Sequence, residues 1–188
     1  MQLMVALSFC LLALLPAGPP LRSSEWELVN PPAATAAVNA ALDVAVADFN
    51  FLMRGFAREQ LAKSVLPVST TVIVDVDGPD VGLHWQGRPA VSGPLNTVFT
   101  GNPDGAGDAR VLFLFDGTTL TQRATRDEGT RTTTVSLVAG ASDTGNTGNT
   151  GDTGNTPAEL VVVTRLEAKA LAAPLVWTQR FRLRRRGG

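Results

Sequence analysis

The sequence predicts a mainly β protein, with one N-terminal α-helix followed by an antiparallel up-and-down β-barrel of about eight strands. Three observations predict it. From Thr70 onward apolar side chains recur at every second position in short runs, the period of a half-buried strand. Gly, Pro, Asn and Asp punctuate those runs, and connections that short make neighbouring strands antiparallel. Ahead of them, residues 36–64 carry their apolar side chains at steps of three and four instead, the period of a helix.

Length and composition set the frame for these elements. The chain has 188 residues, enough for one domain with a real core. Apolar residues make up 44% and charged residues 18%, a globular balance that excludes wholesale disorder. A formal net charge of -1 gives no global attraction to nucleic acid, and no nucleic-acid partner is expected. Cys10 is the one cysteine and His84 the one histidine, so a site needing two imidazoles or two thiolates cannot form within the chain. No metal or other cofactor is expected.

Residues 3–15 form an apolar run interrupted by Ser8 and Cys10. At roughly 13 residues it has the length of a signal-peptide core and falls short of a bilayer span. Pro16, Ala17, Gly18, Pro19 and Pro20 follow, so residues 1–24 read as an export signal and the destination as periplasmic or secreted. Cys10 as a lipid-attachment site fits less well, because Phe9 precedes it and five apolar residues follow.

Residues 25–66 are assigned to an N-terminal segment with a long amphipathic helix. Asn30-Pro31-Pro32 is an entry signal and Thr35 the expected N-cap. Val38, Leu42, Ala45, Phe49, Leu52 and Phe56 line one expected face, and Pro67 ends the helix. Residues 67–188 are assigned to the barrel, with strands expected at 70–76, 81–85, 110–115, 118–126, 131–138, 159–167 and 175–184 and an edge piece within 95–100. Asp116-Gly117 is a hairpin-turn pair. A meander of this length must hide its edges, which closure into a barrel does; a two-layer sheet with the helix across one face is the open alternative.

Four features invite a chemical reading. The Asp/Asn-Thr-Gly repeat of residues 143–156 is rich in oxygen ligands, but its two carboxylates and their spacing match no calcium loop, so it reads as a flexible loop over 141–157. His84 is a candidate acid–base residue, yet neither a nucleophile nor an orienting carboxylate accompanies it in a motif, and no catalytic residue is expected. Arg180, Arg182, Arg184, Arg185 and Arg186 form a basic stripe, read as a solvated face in preference to a membrane-surface or nucleic-acid contact. Finally, Gln122 and Gln179 lie in register with apolar neighbours, and Arg126 and Arg131 approach the same face beside the Asp127-Glu128-Gly129 turn. Polar groups aimed inward are costly unless hydrogen-bonded, and in a hollow barrel they would orient a ligand's polar head.

Phe49-Asn50-Phe51, Arg54, Ala57-Arg58 and Leu61, followed by an alternating body that ends Leu175-Val176-Trp177-Thr178-Gln179-Arg180-Phe181, resemble small exported bacterial proteins of lipocalin-like, calycin type. The lipocalin Gly-x-Trp signature is absent: Leu83 stands two residues before Trp85. The resemblance implies a calycin-type barrel and a hydrophobic small molecule or lipid as partner, and carries over no binding residue. The interior candidates come from the alternation itself: Val111, Phe113, Phe115, Leu120, Gln122, Trp177, Gln179 and Phe181. The competing expectation is a filled barrel that serves as a non-enzymatic structural or protein-interaction domain.

Overall fold

The computed structural model describes residues 21–138 and 158–184. The apolar run of residues 3–15, the loop assigned to 141–157, Arg185 and Arg186 lie outside the described residues. Within them, the chain runs β1 (Ser24–Leu28), α1 (Pro31–Ala45), α2 (Phe51–Val65), β2 (Thr71–Asp75), β3 (Asp80–Trp85), β4 (Ser92–Pro94), β5 (Phe99–Gly101), β6 (Ala109–Phe115), β7 (Thr119–Arg126), β8 (Gly129–Val138), β9 (Glu159–Ala168) and β10 (Leu175–Leu183). The strands form one antiparallel sheet in the order β4-β3-β2-β1-β10-β9-β8-β7-β6-β5.

There are ten strands where about eight were expected. The extra ones are short or lie ahead of the helices. β1 pairs with both β2 and β10, so the N-terminal strand closes the sheet between chain segments far apart in sequence. Its five residues, Ser-Glu-Trp-Glu-Leu, alternate too briefly to register as a strand without the partners on either side. The remaining seam, between β4 and β5, is nearly closed as well. Leu95 bridges to Phe113, and the Asn96 amide donates to the Phe113 carbonyl at 2.9 Å. Phe99 lies against Gly93, where any Cβ would collide with its ring.

The expected single helix is two. Asn30, not Thr35, caps α1, its side-chain oxygen accepting from the Ala33 amide at 3.1 Å, with prolines in the first turn where a missing N–H costs nothing. Thr35 lies inside the helix and donates back to the Pro31 carbonyl. Asn50 caps α2 by accepting from the Met53 amide at 2.9 Å, and this second cap breaks the periodicity. Val38 and Leu42 are buried as expected. Leu52 and Phe56, placed on the same face by an unbroken helix, are 84% and 58% exposed after the break. The helices are tied by an Arg58–Asp43 ion pair of 2.6 Å.

The α1–α2 hairpin sits over one end of the barrel. Val38, Leu42 and Val65 pack on Leu175 and Trp177 at the start of β10. The opposite end is closed by side chains. Trp26, Val72, Val74, Leu83, Phe113, Leu120, Val135, Leu160 and Phe181 point inward and join in one contiguous cluster. The Trp85 and Phe181 rings meet across it at 6.1 Å. Burying each such side chain is worth about 1.5–3 kcal/mol, so this half anchors the fold. Leu21 is buried against the same cluster and donates its amide to the Gly117 carbonyl, and Ser23 accepts from the Val76 and Asp77 amides.

Candidate functional site

Strand register decides what faces the interior at the helical end. In the ladder across β6 to β10, Phe113, Gln122, Thr133, Thr164 and Trp177 form one row. One step nearer the mouth the row is Val111, Ala124, Arg131, Leu166 and Leu175. The first row therefore carries three consecutive polar side chains on an inward face. Gln122, Thr133 and Thr164 are buried, and Gln122 Nε2, Thr133 Oγ1 and Thr164 Oγ1 have no hydrogen-bond partner among the described residues. Arg131 Nε is buried without a partner too. A buried polar group left unsatisfied costs about 1–3 kcal/mol, so four neighbouring ones are a feature that needs an occupant.

Of these residues Arg131 lines an open cleft of about 820 Å³ at the barrel mouth, and Gln122, Thr133 and Thr164 fall one row deeper on the same inward faces. Ala109, Ala124, Arg131 and Leu166 form its inner side, and Ser64 of α2 reaches its edge. The loop between β5 and β6 and the β7–β8 hairpin make the rim. A second space of about 20 Å³, between Trp85, Arg88, Arg131, Trp177 and Gln179, continues inward beneath α2. The volume of the main cleft lies in the range of small-molecule sites.

Charge at the mouth is uneven. Arg126 makes a paired, fork-like contact with Asp104, at 2.8 Å to Oδ2 and 2.6 Å to Oδ1. The same guanidinium donates to the Gly107 and Asp108 carbonyls, and Arg88 donates to the Asp104 carbonyl at 3.0 Å. Burial pushes the Asp104 carboxyl up, but hydrogen bonds from Arg126 and the Ala106 amide, with the charges of Arg126 and Arg131, outweigh it and hold the group below 3.8. Among the described residues Arg131 makes no ion pair with a carboxylate. Burial, followed by the charge of Arg88, pushes it down to about 10, so it remains a cation at neutral pH. Asp108, Asp127 and Glu128 line the rim on its solvent-exposed side.

The residues singled out from the alternation separate into two groups. Leu120 and Phe181 are fully buried in the packed half, Phe113 and Val111 are equally buried at the β6 ends of the polar row and the mouth row, and Phe115 packs partly buried against the same cluster. Gln122 and Trp177 belong to the polar row, Trp177 and Gln179 line the smaller space beneath α2, and Gln179 falls by register in the next row, with Val162, Val135 and Leu120. Thr133 and Thr164 were missed because threonine alternating in a strand reads equally as an outer face; only register beside Gln122 separates the two. Asp104 and Arg88 were missed because loop residues carry no periodicity. His84 sits on the outer face of β3 opposite Ile73, away from the cleft. Within the described residues the arginines of the basic stripe are paired: Arg180 with Glu159 at 2.9 Å, Arg182 with Glu27 at 3.5 Å and Arg184 with Glu25.

The class defined by this architecture is a nearly closed ten-strand antiparallel barrel with a helical hairpin over one mouth. No family model and no curated protein sequence matches the chain. Among solved structures, it is similar to the REP1-NXSQ fatty acid transporter, with a TM-score of 0.50 and 11% identity over 88% of this chain and 97% of the other. It is also similar to a fatty-acid-binding protein from Manduca sexta, at a TM-score of 0.48 and 13% identity, covering 87% and 98%. Lipid binding protein 8 of Caenorhabditis elegans gives 0.45 and 11%, covering 86% and 94%. At such identities the likeness to the first of these shows a shared fold.

Proposed function

We propose that this protein binds an amphipathic lipid or similar hydrophobic small molecule at the helical end of its barrel, with the polar head on Arg131 and the Gln122–Thr133–Thr164 row. The observation that carries the reading is an open 820 Å³ cleft lined by Arg131, with a row of buried polar atoms one step deeper that, like Arg131 Nε, have no partner among the described residues. The fold shared with a fatty acid transporter supports it. A cation beside buried hydrogen-bonding groups, walled by Ala109, Ala124, Leu166 and Trp177, suits a chain with one anionic or polar end. The chemistry needed is binding alone.

Titration of the delipidated full chain with oleate tests the reading, with displacement of a fluorescent fatty-acid analogue as a second readout. Saturable one-to-one uptake is expected. Absence of uptake, with no lipid recovered from natively purified protein, would favour the filled interaction domain. The packed half around Leu120 and Phe181 is what supports that second reading.

We further propose that the protein works in the periplasm or outside the cell, its apolar N-terminus removed as a leader. The burial of Leu21 and the contacts of Ser23 favour removal before Leu21, four positions short of the sequence-based boundary at 24. Sequencing the N-terminus of protein recovered from the cell exterior and from the cytoplasm tests this; an intact Met1 in the exported fraction would contradict it.

A further inference from the structure

The loop of residues 102–108 owes its position to one side chain. Asp104, on that loop, turns inward until its side chain is only 7% exposed, and Arg126 grips both of its oxygens. Arg126 also donates to carbonyls of the same loop, at Gly107 and Asp108. The Ala106 amide donates to Asp104 Oδ1 at 3.0 Å, so the loop's own fold depends on where that carboxylate points. Asp104 lines the cleft together with Arg126 and Arg131. The guanidinium groups of Arg126 and Arg131 thus act on one inward carboxylate, Arg88 holds the backbone carbonyl of the same residue, and Arg131 Nε has no hydrogen-bond partner among the described residues. Asp108, Asp127 and Glu128 are exposed on the rim, where water screens them.

Resting on the lipid-binding reading above, we propose that Asp104 is a built-in counter-ion that an anionic ligand must displace from Arg126, and that it thereby sets the site's preference between anionic and neutral amphiphiles. The incoming carboxylate binds Arg131, which lines the same cleft as the Asp104 carboxylate. Two carboxylates cannot share the pocket without strong repulsion, so Asp104 swings toward solvent. Gly105 and Gly107, both at positive φ (79° and 109°), follow directly on Asp104 within the loop that must rearrange. A neutral head has no such competition to win. Binding of an anion therefore loosens the loop instead of tightening it.

The test uses the full chain, its Asp104→Asn and Asp104→Glu variants, and two probes with matched tails, oleate and oleyl alcohol. Asparagine keeps an oxygen for the Ala106 amide and Arg126 but drops the charge. The expected result is that Asp104→Asn tightens oleate by about tenfold while oleyl alcohol changes by less than about twofold, with Asp104→Glu close to wild type. Amide hydrogen exchange on the unmodified protein gives a reading that needs no variant: oleate should speed exchange at Ala106 and Gly107, and oleyl alcohol should not. Oleate binding that is unchanged or weakened in Asp104→Asn, or both probes tightened alike, or protection of Ala106 by oleate, would each overturn the counter-ion role and leave the carrier reading standing. Failure of all three proteins to bind either probe would overturn both.

Discussion

The two ends of the barrel are built from the same strands and obey opposite rules. Toward the β6–β7 turn, Leu120, Val135, Leu160 and Phe181 fill the interior with no exposed surface and no polar atom. Toward the helices, the next residues on the same inward faces are Gln122, Thr133, Thr164 and Arg131, and four of their polar atoms are buried without partners among the described residues. A sequence selected for stability alone would continue the first pattern. The contrast teaches that one half supplies the folding free energy and the other uses part of it to hold a polar, open site.

The largest effect expected from that division is in the packed half. Phe181→Ala should cost about 3–5 kcal/mol in urea unfolding, while any protein that remains folded binds oleate normally. Equal damage to both would blur the distinction between the ends. Arg131→Met should do the reverse, weakening oleate by tenfold or more while raising stability by about 1 kcal/mol, because it removes a buried cation that makes no ion pair with a carboxylate among the described residues. Loss of stability together with loss of binding would make Arg131 a structural residue. Replacing Thr133 and Thr164 by valine keeps their shape and removes two orphan hydroxyls. Thermal unfolding should show a gain of about 1 kcal/mol for the pair, against a loss if those hydroxyls support the fold.

Acid titration sharpens the picture at the mouth. The folded-state value of Asp104 lies below 3.8, so its contribution to stability is present above that pH and is lost as pH falls through the lower folded value. Asp104→Asn should therefore lose less stability than wild type below pH of about 4. Smallest of all should be the outer face. Arg182→Ala breaks a 3.5 Å pair between side chains 64% and 48% exposed, and its effect on stability should stay within about 0.5 kcal/mol.

Much of this was legible from residues alone. Alternation located β2, β3 and β6 to β10 to within a residue or two, because each buries one face over several turns of the pleat. β1, β4 and β5 are five, three and three residues long, too short for a period to show, and their pairing comes from tertiary partners. The helix break was hidden because Asn50 serves equally as a polar-face residue and as a cap. Gln122 and Gln179 were visible as polar residues in apolar rows. Their companions needed the sheet register, and the role of Asp104 needed a loop conformation that no local pattern encodes.

The division between a solid end and a receptive end is tested most directly by intermolecular nuclear Overhauser contacts from bound oleate. Contacts to Ala124, Leu166 and Trp177, with the carboxylate end near Arg131 and none to Leu160 or Val135, are the predicted result. Contacts running through Val135, Leu160 and Phe181 would contradict it, since they would mean that the packed half opens to hold the ligand.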